Sequence, residues 1–555
     1  MHADAVPLQK ILNSNLQMII PIFQRQYSWE REQVATLWED IIKLYKSMDK
    51  NGTSTHFLGP IVKVEVSHST VDTRKFYLID GQQRIITLMV LLSCIRNLIR
   101  EKDETILRKI ESGYLLNYEE NGENRYKLIP SEGDRDNFKK IIDGSGSLTN
   151  SRLLDTFNDI SKNLEKHKGE LDLEKLRGII INSLILVNID VDRNENPYLI
   201  FESLNAKGTP LTQADLIRNY IFMKIGTEAK QKELYNAYWR PMEALLRNEL
   251  ESFFWRYSLK DGTFVKISRT YANLKSELET NTQKSAEGEL KKLSEHSVFY
   301  KRMISPQAEE LNKKLRKRFI HHNKWEIRTA YPFLLNVYKD YSDGKLSENQ
   351  FCEVLDAIES FVIRRFFCKG PTNKLNRLFI SLYAQIDKAN FIESLKKSLL
   401  KDWPNDDKFK EGIKTFPIYR SGSDKCRLIL DSLEMSYSHK EPVDLSAIDI
   451  SIEHIMPRVD DDSEKLPQEW KAMLGKDYAN IHRRFLHTLP NLTLTGYNSP
   501  LFTKPFREKK KILSESHFEL NKDIITLDKW DEQMILTRWE NLCKKAINIW
   551  KYPKV

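Results

Sequence analysis

The sequence predicts a multidomain α+β protein, mostly helical, with an α/β N-terminal part, a helical middle and a C-terminal part in which two strands precede a helix. Three observations carry that expectation. The chain has 555 residues, too many for one hydrophobic core, so it divides into several domains. β-branched runs lie near the start and near the end, whereas Thr227 to about Lys440 reads as a succession of helices. Each β-rich end also carries a compact polar group, Asp80-Gly81-Gln82-Gln83-Arg84 in one and Glu453-His454 in the other. The expected domains are 1–225, 226–365 and 366–555.

Composition narrows the class. Apolar residues make up 40% and charged residues 30%, a soluble globular balance. Lys plus Arg number 87 against 78 Asp plus Glu, a net charge of +9, which permits a nucleic-acid partner without demonstrating one. The longest apolar run, Ile85 to Ile95, is broken by Thr87 and Ser93 and is too short to cross a bilayer. The start lacks a basic region followed by an apolar core, so no signal peptide is expected, and the expected location is cytoplasmic. The five Cys are scattered with no CxxC pair, which fits reduced thiols and excludes a cysteine zinc finger.

In chain order, residues 8–19 read as a short helix. Pro21 forces the next segment, Ile20 to Trp29, into an extended path. Glu30 to Tyr45 has apolar residues at helical spacing, with Ser28 as its expected N-cap. His56–Val66 and Lys75–Ile79 read as a hairpin. Residues 101–190 form a polar, partly helical insertion, ending in an expected strand over Gly178–Val191. Gly208-Thr209-Pro210 is a turn, Thr212 an N-cap, and Asp215 its capping-box partner. The basic run Lys313–Arg318, with His321, His322 and Lys324, reads first as a solvated helix face and second as a track for DNA phosphate.

Two groups carry chemistry. At Asp80-Gly81-Gln82-Gln83-Arg84 a strand ends, the chain turns and a helix begins. Unpaired N–H groups at a helix start favour phosphate, Arg84 adds a bidentate fork, and Asp80 can hold Mg²⁺ or orient a water. A plain Asp-Gly turn explains the same residues equally well, and no Walker A or GxGxxG pattern occurs. Asn205 and Lys207 are candidate phosphate or base contacts, with turn satisfaction as the alternative. The second group is Ser451-Ile452-Glu453-His454-Ile455-Met456-Pro457, then Leu489-Pro490-Asn491-Leu492-Thr493-Leu494 and Asn498. A neutral His suits proton abstraction from water, and Glu453 and Asn498 are oxygen donors suited to one Mg²⁺. Asn491 is expected to tie the loop in place. A basic helix follows Pro505, carrying Arg507, Lys509, Lys510 and Lys511, some of which are expected to face phosphate. His487 is read either as a phosphate contact or as a satisfied surface residue.

These motifs resemble a family. Pro21-x-Phe23-Gln24-Arg25-x-Tyr27-x-Trp29, Phe57-Leu58-Gly59, Asp80-Gly81-Gln82-Gln83-Arg84 and Phe201 to Thr212 with Asp215-Leu216-Ile217-Arg218-Asn219 are similar to the N-terminal domain of GmrSD-type, modification-dependent (type IV) restriction enzymes. Glu453-His454-Ile455-Met456-Pro457, Asn491-Leu492-Thr493-Leu494 and Asn498 resemble that family's C-terminal HNH nuclease domain. The resemblance implies a ParB/sulfiredoxin-like N-terminal domain that binds, and in some members hydrolyses, a nucleoside triphosphate, with GTP, CTP or UTP ahead of ATP. Gln24, Arg25, Asp80, Gly81, Gln82, Gln83, Arg84, Asn205 and Lys207 are the implied nucleotide contacts, and Asp80 is also an implied catalytic residue. It implies a ββα-metal nuclease with His454 and Asn491 in the catalytic group and Mg²⁺ on Glu453 and Asn498. The implied role is an NTP-regulated DNA endonuclease of antiphage defence, cleaving foreign DNA, above all phage DNA with modified bases or backbone, with no membrane partner and homo-oligomerisation left open. The alternative is a nucleotide-regulated DNA-binding protein with a silent HNH domain. Pro490 departs from the family, which usually has Gly before the Asn, so the turn into Asn491 is expected to differ locally.

Overall fold

Gln82–Ile99 (helix α3) is apolar on nearly every side: Ile85, Leu88, Met89, Val90, Leu92 and Ile95 are all fully buried. A helix of that kind needs cover all round. In the computed structural model, helices Glu104–Ile110, Glu132–Asp143, Arg152–Lys166 and Leu173–Asn182 pack against it. The structure describes residues 2–12, 15–51, 54–67, 73–100, 103–191, 211–371, 373–437, 450–496 and 503–554. It divides into two units, Met1–Ala244 with Ser268–Lys292, and Leu245–Ile267 with Leu293–Val555. The chain is mostly helical, with a mixed sheet in the N-terminal unit, a multidomain α+β architecture. No described helix is long and apolar enough to cross a membrane.

The first unit is built on a six-stranded sheet. Its strands are β1 (His2–Pro7), β2 (Leu16–Ile19), β3 (His56–Ser67), β4 (Arg74–Asp80), β5 (Leu128–Ile129) and β6 (Leu184–Val191), in the order β1-β6-β3-β4-β2-β5. The expected hairpin is the antiparallel pair β3–β4, while β2 runs parallel to both β4 and β5. The expected helix over 8–19 is corrected: Leu8–Leu12 is helical (α1), but Leu16–Ile19 is strand β2. Its buried Leu16 and Met18 sit between two parallel neighbours, and sheet pairing overrides a short helical stripe. The expected strand over Gly178–Val191 is also too long. Asp172 caps helix Leu173–Asn182 by accepting from Glu174 and Lys175 N–H, and only Leu184–Val191 is strand.

The turn between β4 and α3 depends on glycine. Gly81 has φ +87°, and a Cβ there would lie 2.5 Å from Cγ2 of the fully buried Ile61. Gly81→Ala is therefore expected to destabilise the first unit by about 2–4 kcal/mol. Gly122→Ala, at φ +61° with open space around it, costs only about 1 kcal/mol. Calorimetry of both variants tests the difference.

In the second unit, helix Lys313–Lys324 lies against helix Glu348–Phe367, and two cations of its basic run are paired there, while Lys313 and Lys317 are exposed. Arg318 makes a bidentate pair with Asp356 at 2.8 Å for both bonds, and Lys314 pairs with Glu348 at 2.6 Å. His322 is buried, with Nε2 at 2.9 Å from the Leu355 carbonyl. Towards the C-terminus, Ser451–His454 (β7) and Leu492–Thr495 (β8) form an antiparallel pair in which His454 lies opposite Leu492. Helix Phe506–Ser514 follows β8, and Glu532–Ile549 ends the chain's helices. The helix expected over Trp470–Tyr478 is two helices, Gln468–Leu474 and Tyr478–Phe485, broken at Gly475 with φ +80°.

Candidate active site and a polar groove

Glu453 and His454 are the last two residues of β7. Their side chains belong to different polar groups. Glu453 Oε1 accepts from Lys509 Nζ at 2.5 Å, and the same ammonium donates to the His454 carbonyl at 2.8 Å. Lys509 is wholly buried, and the Glu453 side chain is 13% exposed. Burial raises the Glu453 carboxyl and lowers the Lys509 ammonium, while the pairing opposes both shifts. Lys509 lies on Phe506–Ser514, where the sequence placed phosphate-facing lysines; instead it is inside, and Arg507 and Lys511 are the exposed ones.

The His454 ring meets a second histidine. Its Nε2 is 3.3 Å from His487 Nδ1, and His487 Nε2 is 3.0 Å from Asp461 Oδ1. The Tyr419 ring lies edge-on to His454, with centroids 4.5 Å apart, and stacks on His487 at 5.8 Å. Burial first, then the neighbouring His487, Lys509 and Arg458, push the His454 pKa down to about 3. The imidazole is neutral throughout the physiological range, the form that accepts a proton.

Asn491 anchors the loop after β7. Its Oδ1 accepts from Met456 N–H at 2.8 Å, and its Nδ2 donates to the carbonyls of Leu486 at 2.9 Å and Met456 at 3.3 Å. The Asn491 carbonyl in turn accepts from Ile455 N–H at 2.9 Å. Asn491 precedes β8 in a 3-10 turn, Leu489–Asn491, rather than lying in the strand. Pro490 occupies the first positions of that turn, where a missing N–H costs nothing. His482, on helix Tyr478–Phe485, bonds Ser463 Oγ and the Pro457 carbonyl and so ties that helix to the loop after β7. Asn498 lies outside the described residues, as do Asn205 and Lys207.

In the first unit, the segment Pro21–Trp29 is fastened to α3. Ser28 N–H donates to Gln83 Oε1 at 2.8 Å, Tyr27 hydroxyl meets Thr87 Oγ1 at 2.7 Å, and Tyr27 N–H donates to Asp134 at 2.6 Å. The following helix (α2) is Arg31–Asn51, so Glu30 and not Ser28, the N-cap expected from the sequence, directly precedes it. Gln82 Nε2 reaches back to the Ile79 carbonyl at 3.4 Å, so the Gln82 and Gln83 side chains are engaged with protein. Arg84 donates to the Leu58 carbonyl at 3.1 Å and lies 3.6 Å from Asp80. Gly59 has φ +103°, a conformation that favours glycine, and a Cβ there would also fall 2.6 Å from that guanidinium. Burial raises the Asp80 carboxyl, with Arg84 and Arg25 opposing.

The same fastening shapes a groove of about 530 Å³. Gln24 and Arg25 line it from one side, Ser131 and Gly133 from another, and Asp215 and Arg218 from helix Gln213–Met223. The Thr212–Asp215 capping box forms, and Asp215 also pairs with Arg218 at 2.6 Å. Among the described residues the buried Gln24 Nε2 has no hydrogen-bond partner, and burial lowers the Arg25 guanidinium. Asp80 and Arg84 do not line this groove, although Arg25 feels the charges of both Asp215 and Asp80.

Sequence reasoning missed Lys509 as the partner of Glu453, Asp461 and Tyr419 around the histidines, and Ser131–Gly133 in the groove. Only the fold brings them in; the acidic stretch Asp460–Asp462 two turns after His454 was the one available hint. Among the described residues no group of three or more His, Cys, Asp or Glu is arranged to hold a metal ion. Residues 8–222 match the model of the GmrSD restriction endonuclease N-terminal domain, and residues 403–545 match that of the GmrSD restriction endonucleases C-terminal domain. No curated protein matches the sequence.

Proposed function

The chain belongs to the GmrSD restriction endonuclease family, and from that premise we propose that it cuts DNA at the end of β7 by an HNH-type mechanism, under control of a nucleotide bound in its N-terminal unit. Membership makes it a restriction endonuclease of antiphage defence with DNA as its partner. The observation that carries the mechanism is the neutral, buried His454 beside a carboxylate at a strand end, with Asn491 pinning the loop. Water would lose a proton to His454, its oxygen would attack phosphorus, and the 3′-oxygen would leave. The substrate phosphate, by its negative charge, raises the depressed basicity of His454.

The donor chemistry fits Mg²⁺. Glu453 offers a hard carboxylate with only one oxygen engaged by Lys509, and Mg²⁺ typically takes few protein oxygens and keeps its waters. Glu453 and Asn498 are the residues that would hold it, and it would supply charge neutralisation at the leaving oxygen. Lys509 keeps the carboxylate oriented by holding both it and the His454 carbonyl. Magnesium-dependent scission of DNA by the full chain, lost in Glu453→Gln, tests this reading.

For the N-terminal unit we read the Gln24–Arg25–Arg218 groove as the nucleotide site of a ParB-like fold. Arg25 supplies the guanidinium for phosphate, while Arg218 is held by Asp215 at 2.6 Å and Glu243 at 3.0 Å and fixes that wall of the groove. Arg25→Ala is expected to weaken nucleoside triphosphate binding about 10- to 100-fold by removing a charged hydrogen-bond donor. Calorimetric titration with GTP, CTP, UTP and ATP measures it; equal affinity in variant and wild type rejects the groove.

One observation favours the second reading, a nucleotide-regulated DNA-binding protein with a silent nuclease site. The Lys509 ammonium already neutralises Glu453 at 2.5 Å. That reading predicts nucleotide-sensitive DNA binding and no Mg²⁺-dependent scission of any DNA.

A further inference from the structure

Three successive non-glycine residues, Val459, Asp460 and Asp461, have φ of 41°, 57° and 61°. A left-handed residue costs free energy, and a β-branched one such as Val459 is a rare outlier there. Strain of this kind persists where surrounding contacts over-determine it. Here the turn delivers Asp461 to His487 Nε2 at 3.0 Å, and Arg420 holds the other carboxylate oxygen at 2.6 Å. Arg458 Nε stands 3.5 Å from Oδ1. The His487 carbonyl accepts from Tyr419 N–H at 3.2 Å, and the Tyr419 ring contacts both imidazoles. Backbone, ring and carboxylate therefore all fix His487.

We propose that Asp461 and His487 form a relay that sets the tautomer of His454, leaving its Nδ1 unprotonated to take the proton from water. An ionised carboxylate only accepts, so His487 Nε2 must carry the proton it donates to Asp461. Burial lowers the basicity of His487, which keeps that ring neutral and its Nδ1 a lone pair. His487 Nδ1 then accepts from His454 at 3.3 Å, so His454 Nε2 bears the hydrogen and Nδ1 does not. When His454 takes a proton at Nδ1, its charge faces His487 and, one ring further, the Asp461 carboxylate. No proton passes along the relay. His487 and Asp461 are positioning residues, and the inference rests on the reading of His454 as base. His487 is buried rather than an idle surface residue, and the relay differs from the other sequence reading, a phosphate contact. His482, bonded to Ser463 and Pro457, has no place in it.

The test uses the full chain with Mg²⁺ and DNA under single-turnover conditions, comparing wild type with His487→Leu, His487→Asn, Asp461→Ala and His454→Ala. An Asn amide oxygen can stand near the position of Nδ1 and accept the same hydrogen. His487→Leu is expected to lower the rate at saturating DNA about 10- to 100-fold, with DNA affinity unchanged. His487→Asn should regain most of that loss, and Asp461→Ala, on an exposed turn, should also slow the step while remaining folded. Equal rates in His487→Leu, Asp461→Ala and wild type, with His454→Ala inactive, would overturn the relay alone. Equally slow Leu and Asn variants would also overturn it, leaving a packing role. Weaker, more salt-sensitive DNA binding at an unchanged rate would instead make His487 a phosphate contact. Full activity in His454→Ala would remove the mechanism on which the relay rests, a distinct outcome.

Discussion

Lys509→Met is expected to destabilise the second unit by about 3–5 kcal/mol, because it leaves a buried carboxylate without its counter-charge. Lys509 is wholly buried, and its ammonium bonds Glu453 at 2.5 Å and the His454 carbonyl at 2.8 Å. Removing one partner of such a pair costs far more than removing both, since the remaining charge has been taken out of water. The double variant Glu453→Gln with Lys509→Met should therefore be more stable than Lys509→Met alone. Calorimetry of the full chain, following the transition of the second unit, checks both. Millimolar Mg²⁺ should return part of the loss in Lys509→Met but not in the double variant, because only the single variant keeps the carboxylate. A single variant as stable as wild type would mean that the pair contributes nothing.

His454→Ala is expected to lower DNA cleavage by roughly 10²- to 10⁴-fold, the range that one general base contributes. DNA affinity should be unchanged, because the ring is 7% exposed and held by His487 and Tyr419. The substitution also removes a buried ring, so the variant should unfold at a lower temperature. Its stability should fall less steeply in acid than that of wild type. The sign follows from burial. His454 in the fold has a pKa of about 3, against roughly 6.5 in the unfolded chain. The unfolded chain thus binds more protons between those values. The stabilising effect of keeping His454 neutral is complete above about pH 6.5 and declines as pH falls towards 3. Unfolding transitions between pH 7 and pH 4 read this directly, independently of any cleavage.

Much of the architecture was legible because local signals agreed with the fold. The β3–β4 pair and the Thr212–Asp215 capping box follow from alternation and from N-cap chemistry. Where they fail, a long-range partner decides. Leu16–Ile19 is a strand because β4 and β5 lie on either side of it, which no window of twenty residues contains. The helix Leu173–Asn182 was hidden by a β-branched run, yet Asp172 caps it and Ile179 and Ile180 are buried on it. The candidate site divides in the same way. Glu453, His454 and Asn491 were readable as a spaced motif. Lys509 and His487 stood out only as phosphate contacts or surface residues, and Asp461 not at all, since each reaches the site across a turn or from another helix, and a lysine among exposed basic neighbours gives no sign that it points inward. Gln82 and Gln83 stood out in sequence as binding residues, and the fold adds what the sequence could not show, that their amides also hold the Pro21–Trp29 segment and the turn itself.

The most direct test of the central claim is cleavage of plain and base-modified phage DNA by wild type and His454→Ala side by side, in Mg²⁺ with and without each nucleoside triphosphate. Scission by wild type that requires Mg²⁺ and is lost in His454→Ala is the predicted result, and the nucleotide dependence then identifies what the N-terminal groove binds. Scission that persists in His454→Ala, or no scission of any DNA by wild type under all these conditions, contradicts it.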